Sequence, residues 1–200
     1  MLTKACKARL QHCKEAEAAI KSVSRDELVM LKDRLMADMG MPIGMHTLGV
    51  PLILSVLFMI LSFSIPQLSL WSTILSWLSL PAYTLFAYIV PAALVFAGAN
   101  SVIVFMIARG SMRAVTAHIF LAQVTFLCSA IYFIKSLIGY FNYEPSSGIY
   151  LLSSLAGMAS ISISFRCINS KAFFSMLSYM LHNRVWRKLL KLNQHATSSR

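Results

Sequence analysis

The chain has 200 residues, of which 58% are hydrophobic and 12% are charged, against about 25% charged in an average soluble domain. Its net charge of +11 arises at the two ends and in one short loop, and no basic stripe alternates with base-stacking aromatic residues, which argues against nucleic-acid binding. The sequence has no HExxH, GxSxG, GxxxxGK[ST] or GxGxxG motif. Composition therefore predicts a membrane protein without a catalytic residue, cofactor or metal site.

Residues 1–46 are predicted to form a cytoplasmic region of two amphipathic helices and a linker. Ser24 stands three residues before Glu27, which is the spacing of a capping box at the start of a helix. Residues 39–46 contain glycine and proline and are predicted to be a flexible linker that leads into the membrane.

Two long stretches of the chain almost lack charge. Residues 39–108 contain no Lys, Arg, Asp or Glu, and residues 114–165 contain only Lys135 and Glu144. About 20 apolar residues cross a bilayer, so the fold class is predicted to be all-α integral membrane. The transmembrane domain covers residues 47–165, and its four helices are predicted at residues 47–65, 83–108, 114–138 and 149–165.

Residues 67–80, between Pro66 and Pro81, form a separate feature. Their serines recur at helical spacing on one face, and leucine and tryptophan recur on another. This pattern favours a short helix in the interface on the far side of the membrane. A re-entrant segment is the alternative.

The distribution of basic residues predicts the topology. Apart from Lys135, all Lys and Arg lie before the first span, between the second and third spans, or after the fourth. By the positive-inside rule, both termini are cytoplasmic. The residues that set this orientation are predicted to include Arg109, Arg113, Arg166 and Lys171.

Residues 166–200 are predicted to form a basic amphipathic tail. Apolar residues recur at every fourth position from Phe173 to Leu189. Such a helix suits an anionic inner leaflet or the groove of an acidic partner, and the leaflet is the favoured prediction. The basic residues assigned to this surface are Arg184, Arg187, Lys188 and Lys191.

Four polar residues within the spans are candidates for function because polar groups are costly in a membrane. Asn100 and Gln123 lie at similar depth on consecutive spans, so they are predicted to form a hydrogen bond that packs two helices. Lys135 is predicted to snorkel to the far interface, with Glu144 as an available counter-ion. His118 could titrate, or it could be satisfied by the backbone or a headgroup.

Small residues at intervals of four, such as Ala93, Ala97 and Ser101, predict close helix contacts within the chain or with another protein. The sequence offers few groups for catalysis or pumping, so we expect a protein that acts through contacts. Homo-oligomers are possible. The alternative is a small oligomeric transporter or channel, with Lys135 and His118 lining a path.

In its overall plan of uncharged spans, basic cytoplasmic ends and short external loops, the chain resembles two groups of small bacterial inner-membrane proteins. These are the bacteriocin-immunity proteins and the entry-exclusion proteins of conjugative plasmids. The resemblance covers no motif and assigns no residue. It implies a location in the bacterial inner membrane and a protein partner in the membrane or envelope. The large cytoplasmic segments favour exclusion over immunity, with recognition through residues 67–81, residues 139–148 or a cytoplasmic end.

Overall fold

The computed structural model describes residues 2–22, 24–39, 49–142 and 147–198, without the side chains of residues 21 and 195–198. Over these ranges the chain is all-helical and contains no strand. A 3-10 turn at Ala82–Thr84 precedes α5. The α-helices are α1 (Lys4–Ser22), α2 (Arg25–Met39), α3 (Val50–Ser64), α4 (Gln67–Trp77), α5 (Leu85–Ala108), α6 (Met112–Phe141), α7 (Ser147–Asn169) and α8 (Lys171–Ser198).

Among the described residues, four helical segments are long and apolar enough to cross a membrane, as the sequence predicts. They cover Val50–Trp77, Ala82–Ala108, Met112–Phe141 and Ser147–Asn169. The third and fourth are longer at both ends than the predicted spans, because the helix continues into the flanking residues. The predicted linker at residues 39–46 lies outside the described residues from position 40 onward.

α3 ends at Ser64, close to the predicted end of the first span at residue 65, and α4 follows after two residues within the same apolar segment. Pro66 lies in the helical region at φ −77° and ψ −8°, and its carbonyl accepts the N–H of Leu70 at 2.9 Å. Proline removes one hydrogen-bond donor from a helix, so it interrupts the ladder between α3 and α4 while the chain remains helical. An interfacial position for residues 67–80 stays a prediction.

The described residues divide into two compact units. The terminal unit contains the described parts of residues 1–52, 103–117 and 167–200, and the central unit contains those of residues 53–102 and 118–166.

In the terminal unit, α8 packs against both α1 and α2. The apolar row that was predicted on α8 is buried in this unit, from Phe173 through Leu181 to Leu189. Each helix has a polar residue at its start: Thr3 Oγ1 accepts the N–H of Cys6, and Ser170 Oγ accepts that of Phe173, both at 3.1 Å. One half of the predicted capping box of α2 is present: the Glu27 carboxylate accepts the Ser24 N–H at 3.1 Å, and it also accepts the Ser24 hydroxyl at 2.8 Å. That hydrogen bonding to Ser24 lowers the pKa of Glu27.

Candidate functional site

The most polar part of the central unit is the inward face of α6. Its buried residues recur at intervals of three and four, as expected for one face of a helix that packs along its whole length. Most are small or carry a hydroxyl, which lets neighbouring helices approach closely. The residues of this row are His118, Ala122, Thr125, Ser129, Tyr132 and Ser136, and Ile119 and Gly139 are also buried on α6.

One cluster on this face joins α3, α6 and α7. The Ser55 hydroxyl lies 2.9 Å from His118 Nε2 and 2.9 Å from the Ser164 hydroxyl. Ser164 also donates to the backbone carbonyl of Ser55 at 2.9 Å. All three side chains are fully buried. His118 Nδ1 has no hydrogen-bond partner among the described residues.

A second contact lies two turns further along α3. The hydroxyls of Ser62 and Ser129 are 2.7 Å apart, and Ser129 also lies 3.3 Å from the Ser62 carbonyl. Between the two contacts lie Met59 on α3 and Ala122 on α6, both fully buried. The two contacts join helices by neutral hydrogen bonds, which suits packing inside a membrane.

The predicted pairing of Asn100 with Gln123 is wrong in the structure. Asn100 is buried and donates from Nδ2 to the Phe96 carbonyl of its own helix at 2.9 Å, while its Oδ1 has no partner in the described part of the chain. Gln123 is exposed. Gln123 lies outside the inward row of α6, so its side chain does not face the packed helices.

Lys135 is exposed on α6 and bonds to hydroxyls of α4. Its Nζ lies 2.8 Å from Thr73 Oγ1 and 3.3 Å from Ser69 Oγ. The predicted counter-ion, Glu144, lies outside the described residues. His118 and Lys135 are 17 positions apart on one helix, which separates them by about 25 Å. The structure therefore does not bring the two ionisable candidates together.

α5 is the least buried of the four membrane-length segments. In its most apolar window 11% of residues are buried, against 28% to 33% in the other three. Phe96 and Asn100 form its inward row. On another face, Val90, Leu94, Gly98 and Ser101 are all exposed, and a methyl group added at Gly98 would meet no atom of the described residues within 4 Å. We call these four residues the α5 outer face.

Beside this face, α5 forms an apolar groove of about 650 Å³ with α3, α4 and α6. Two aromatic stacks border it: Phe63 lies on Phe96 with centroids 3.8 Å apart, and Trp71 lies on Tyr88 at 5.3 Å. The ring stacking lies on one side of α5, and the outer face lies on an exposed side.

In the terminal unit, two residues assigned to a membrane surface have internal partners instead. Arg184 Nη1 bonds to Glu17 Oε1 at 2.7 Å and to the Gly110 carbonyl at 2.9 Å. Lys188 Nζ donates to the Ile20 carbonyl. Because α1 packs against this part of α8, these cations stabilise the packing of the terminal unit. Arg187 and Lys191 are exposed, and their binding to an anionic leaflet stays a prediction.

The four residues predicted to set the topology are all exposed: Arg109, Arg113, Arg166 and Lys171. The Arg109 guanidinium lies 4.3 Å from the centroid of the Phe105 ring. Next to it, Gly110 has φ +80° and ends α5 with a hydrogen bond from Ser111 N–H to the Met106 carbonyl, which is the Schellman pattern.

A scan of protein-family models and searches of curated proteins and of solved structures gave no significant match. The functional residues must therefore be argued from the chain itself. Sequence reasoning found His118 but missed its partners Ser55 and Ser164, and also the Ser62–Ser129 contact. The three-and-four spacing along α6 was the available signal.

Proposed function

We propose that this chain is a non-catalytic multi-pass membrane protein, with both termini in the cytoplasm, that acts by binding a protein partner. The process that we propose is entry exclusion in the bacterial inner membrane, in which the chain blocks redundant conjugative transfer. The support for exclusion is the plan-level resemblance together with the large basic terminal segments.

The observation that carries the proposal is the outer face of α5. The polar groups of the other spans are largely used inside the central unit, whereas the α5 outer face is exposed and includes Gly98 and Ser101. Small residues on an exposed transmembrane face allow a second helix to approach its backbone.

The occupant that we propose for this face is a transmembrane helix of the partner. Leu94 is 68% exposed and Val90 is 52% exposed, and both lie one to two turns before Gly98, so they offer apolar contacts beside the small residues. Lipid chains could also cover these residues, but they gain nothing from the close backbone approach that Gly98 permits.

The experiment is a conjugation assay. Recipient cells that produce the chain are mated with donors carrying the conjugative element that encodes it, and with donors carrying an unrelated element. The proposal predicts at least a tenfold drop in transfer frequency for the first donor and no drop for the second. Equal transfer of the first element into recipients with and without the chain would reject exclusion.

The transport alternative has one supporting observation, the polar row on α6. In this alternative the orphaned His118 Nδ1 would face a conducted ion. Its test is ion flux through the reconstituted protein and its loss in Lys135→Ala. The fully buried Met59 and Ala122 between the two hydroxyl contacts weigh against a continuous path, so we keep recognition as the proposed function.

A further inference from the structure

The terminal unit contains a groove of about 590 Å³ between α1, α2 and the first turns of α8. This size lies within the range of about 300–1,000 Å³ that is usual for small-ligand sites. Its lining brings together two cationic side chains from different helices, Arg9 of α1 and Lys171 of α8. Phe174 supplies an apolar wall beside them.

Chain connectivity places this groove next to the membrane surface. Lys171 follows the membrane-length helix α7 after a single residue, Ser170. Within the same unit, Asn169 Oδ1 accepts the backbone N–H of Thr3 at 3.1 Å, so the start of α1 lies at the end of α7. If α7 crosses the bilayer, these residues lie at the level of the lipid headgroups.

The positive charges of the groove are already arranged for an anion. The Arg9 guanidinium lies over the Phe174 ring, 5.3 Å from its centroid, which holds the side chain beside the groove. Lys171 opens α8, a helix of 28 residues, and the N-terminus of a helix adds a partial positive charge. Both cations are exposed and so accessible to a ligand.

The other titratable groups that line the groove determine its net charge. The Asp38 carboxylate opposes an anion, but it lies 3.1 Å from His12 Nε2. Burial, and then the charge of Asp38, raise the pKa of Cys13 to about 11. The thiol is therefore neutral at physiological pH and adds no negative charge to the groove.

We propose that this groove binds the phosphate of an anionic phospholipid headgroup, with Arg9 and Lys171 as its charged ligands. The glycerol part of the lipid packs against Phe174. The proposal rests on α7 crossing a bilayer and is independent of the partner recognised by α5.

The test is native mass spectrometry of the full-length protein released from bilayer discs that contain equal amounts of phosphatidylglycerol and phosphatidylcholine. We expect the parent protein to retain phosphatidylglycerol preferentially. In Arg9→Gln/Lys171→Gln, that retention should fall at least tenfold, whereas retention of phosphatidylcholine should not change. Asp38→Asn should increase retention of phosphatidylglycerol, because it removes the opposing charge.

Two controls distinguish binding at a specific site from a general effect of charge and from misfolding of the variant. Arg25→Gln/Arg34→Gln removes the same charge from exposed positions of α2 that do not line the groove, and it should retain phosphatidylglycerol like the parent. Arg9→Lys/Lys171→Arg keeps both charges and should also retain the lipid. Equal loss in the α2 control, unchanged retention in Arg9→Gln/Lys171→Gln, or displacement of the lipid by millimolar inorganic phosphate would overturn the proposal.

Discussion

The terminal and central units use their polar side chains differently. In the terminal unit the key contact is ionic, between Arg184 and Glu17, with the Gly110 carbonyl as a further acceptor. In the central unit the buried contacts join neutral hydroxyls and one imidazole, as at Ser55 and His118. Charge is expensive in a membrane and hydroxyl pairs are not. We therefore expect single substitutions to cost more in the terminal unit.

The largest effect is expected at Arg184. Arg184→Met leaves the carboxylate of Glu17, whose side chain is 15% exposed, without its guanidinium. Breaking a buried ion pair is costly, and since Arg184 is itself 30% exposed we expect a loss of about 2–3 kcal/mol in the free energy of unfolding. Thermal unfolding in detergent, followed by circular dichroism, measures it.

Combining this change with Glu17→Gln provides the control. The double variant should recover part of the loss, because the stranded charge is removed. A double variant that is less stable than Arg184→Met would show that the pair is not the source of the effect.

A smaller effect is expected at Gly110. A β-carbon there would lie 3.1 Å from the Met180 carbonyl, at a backbone φ of +80°. We expect Gly110→Ala to destabilise the terminal unit by about 2 kcal/mol. Gly98→Ala is the matched control, since its β-carbon meets no atom of the described residues within 4 Å, and it should be neutral or slightly stabilising. Similar unfolding temperatures for the two variants would contradict this account.

In the central unit, a substitution at Ser79 is expected to raise stability rather than lower it. It ends α4 at φ +54°, and the Leu80 N–H bonds to the Leu75 carbonyl at 2.9 Å, so it occupies the left-handed position of a Schellman motif. Glycine is favoured there, and we expect Ser79→Gly to gain up to about 1 kcal/mol. Ser79→Ala should give no comparable gain in the same unfolding assay.

The smallest effect is expected at the Ser62–Ser129 contact. Hydrogen bonds between membrane helices average about 0.6 kcal/mol, so Ser62→Ala should lower stability by that order. A double-mutant cycle with Ser129→Ala isolates the coupling. A coupling above about 2 kcal/mol would mean that the central unit depends on polar contacts as strongly as the terminal unit does.

The sequence was most informative where chemistry alone decides the structure. Uncharged runs predict the four membrane-length helices, because every residue in such a run can lie in the same apolar environment of the lipid. The contact between Ser24 and Glu27 was found for a similar reason, since both residues lie within one turn. The break at Pro66 was predicted as well, but the helical backbone of Pro66 itself was not; a proline at the start of a helical turn removes only one donor.

Contacts between distant positions could not be predicted in this way. Arg184 and Glu17 are 167 residues apart, and nothing in the charge pattern of α8 distinguishes Arg184 from Arg187. Gln123 was misplaced because depth was considered without the helical face. The periodicity of α6 would have excluded Gln123 from the inward row, since His118, Ala122 and Thr125 already define it.

We propose that recognition occurs through the α5 outer face, and a matched pair of leucine substitutions tests this directly. Gly98→Leu fills the exposed gap on α5, whereas Ala159→Leu adds similar bulk at an exposed position of α7. In recipients that accumulate equal amounts of protein, the account predicts that Gly98→Leu raises conjugative transfer at least tenfold above the parent. Ala159→Leu should exclude the element as the parent does. Full exclusion by Gly98→Leu would contradict recognition through this face.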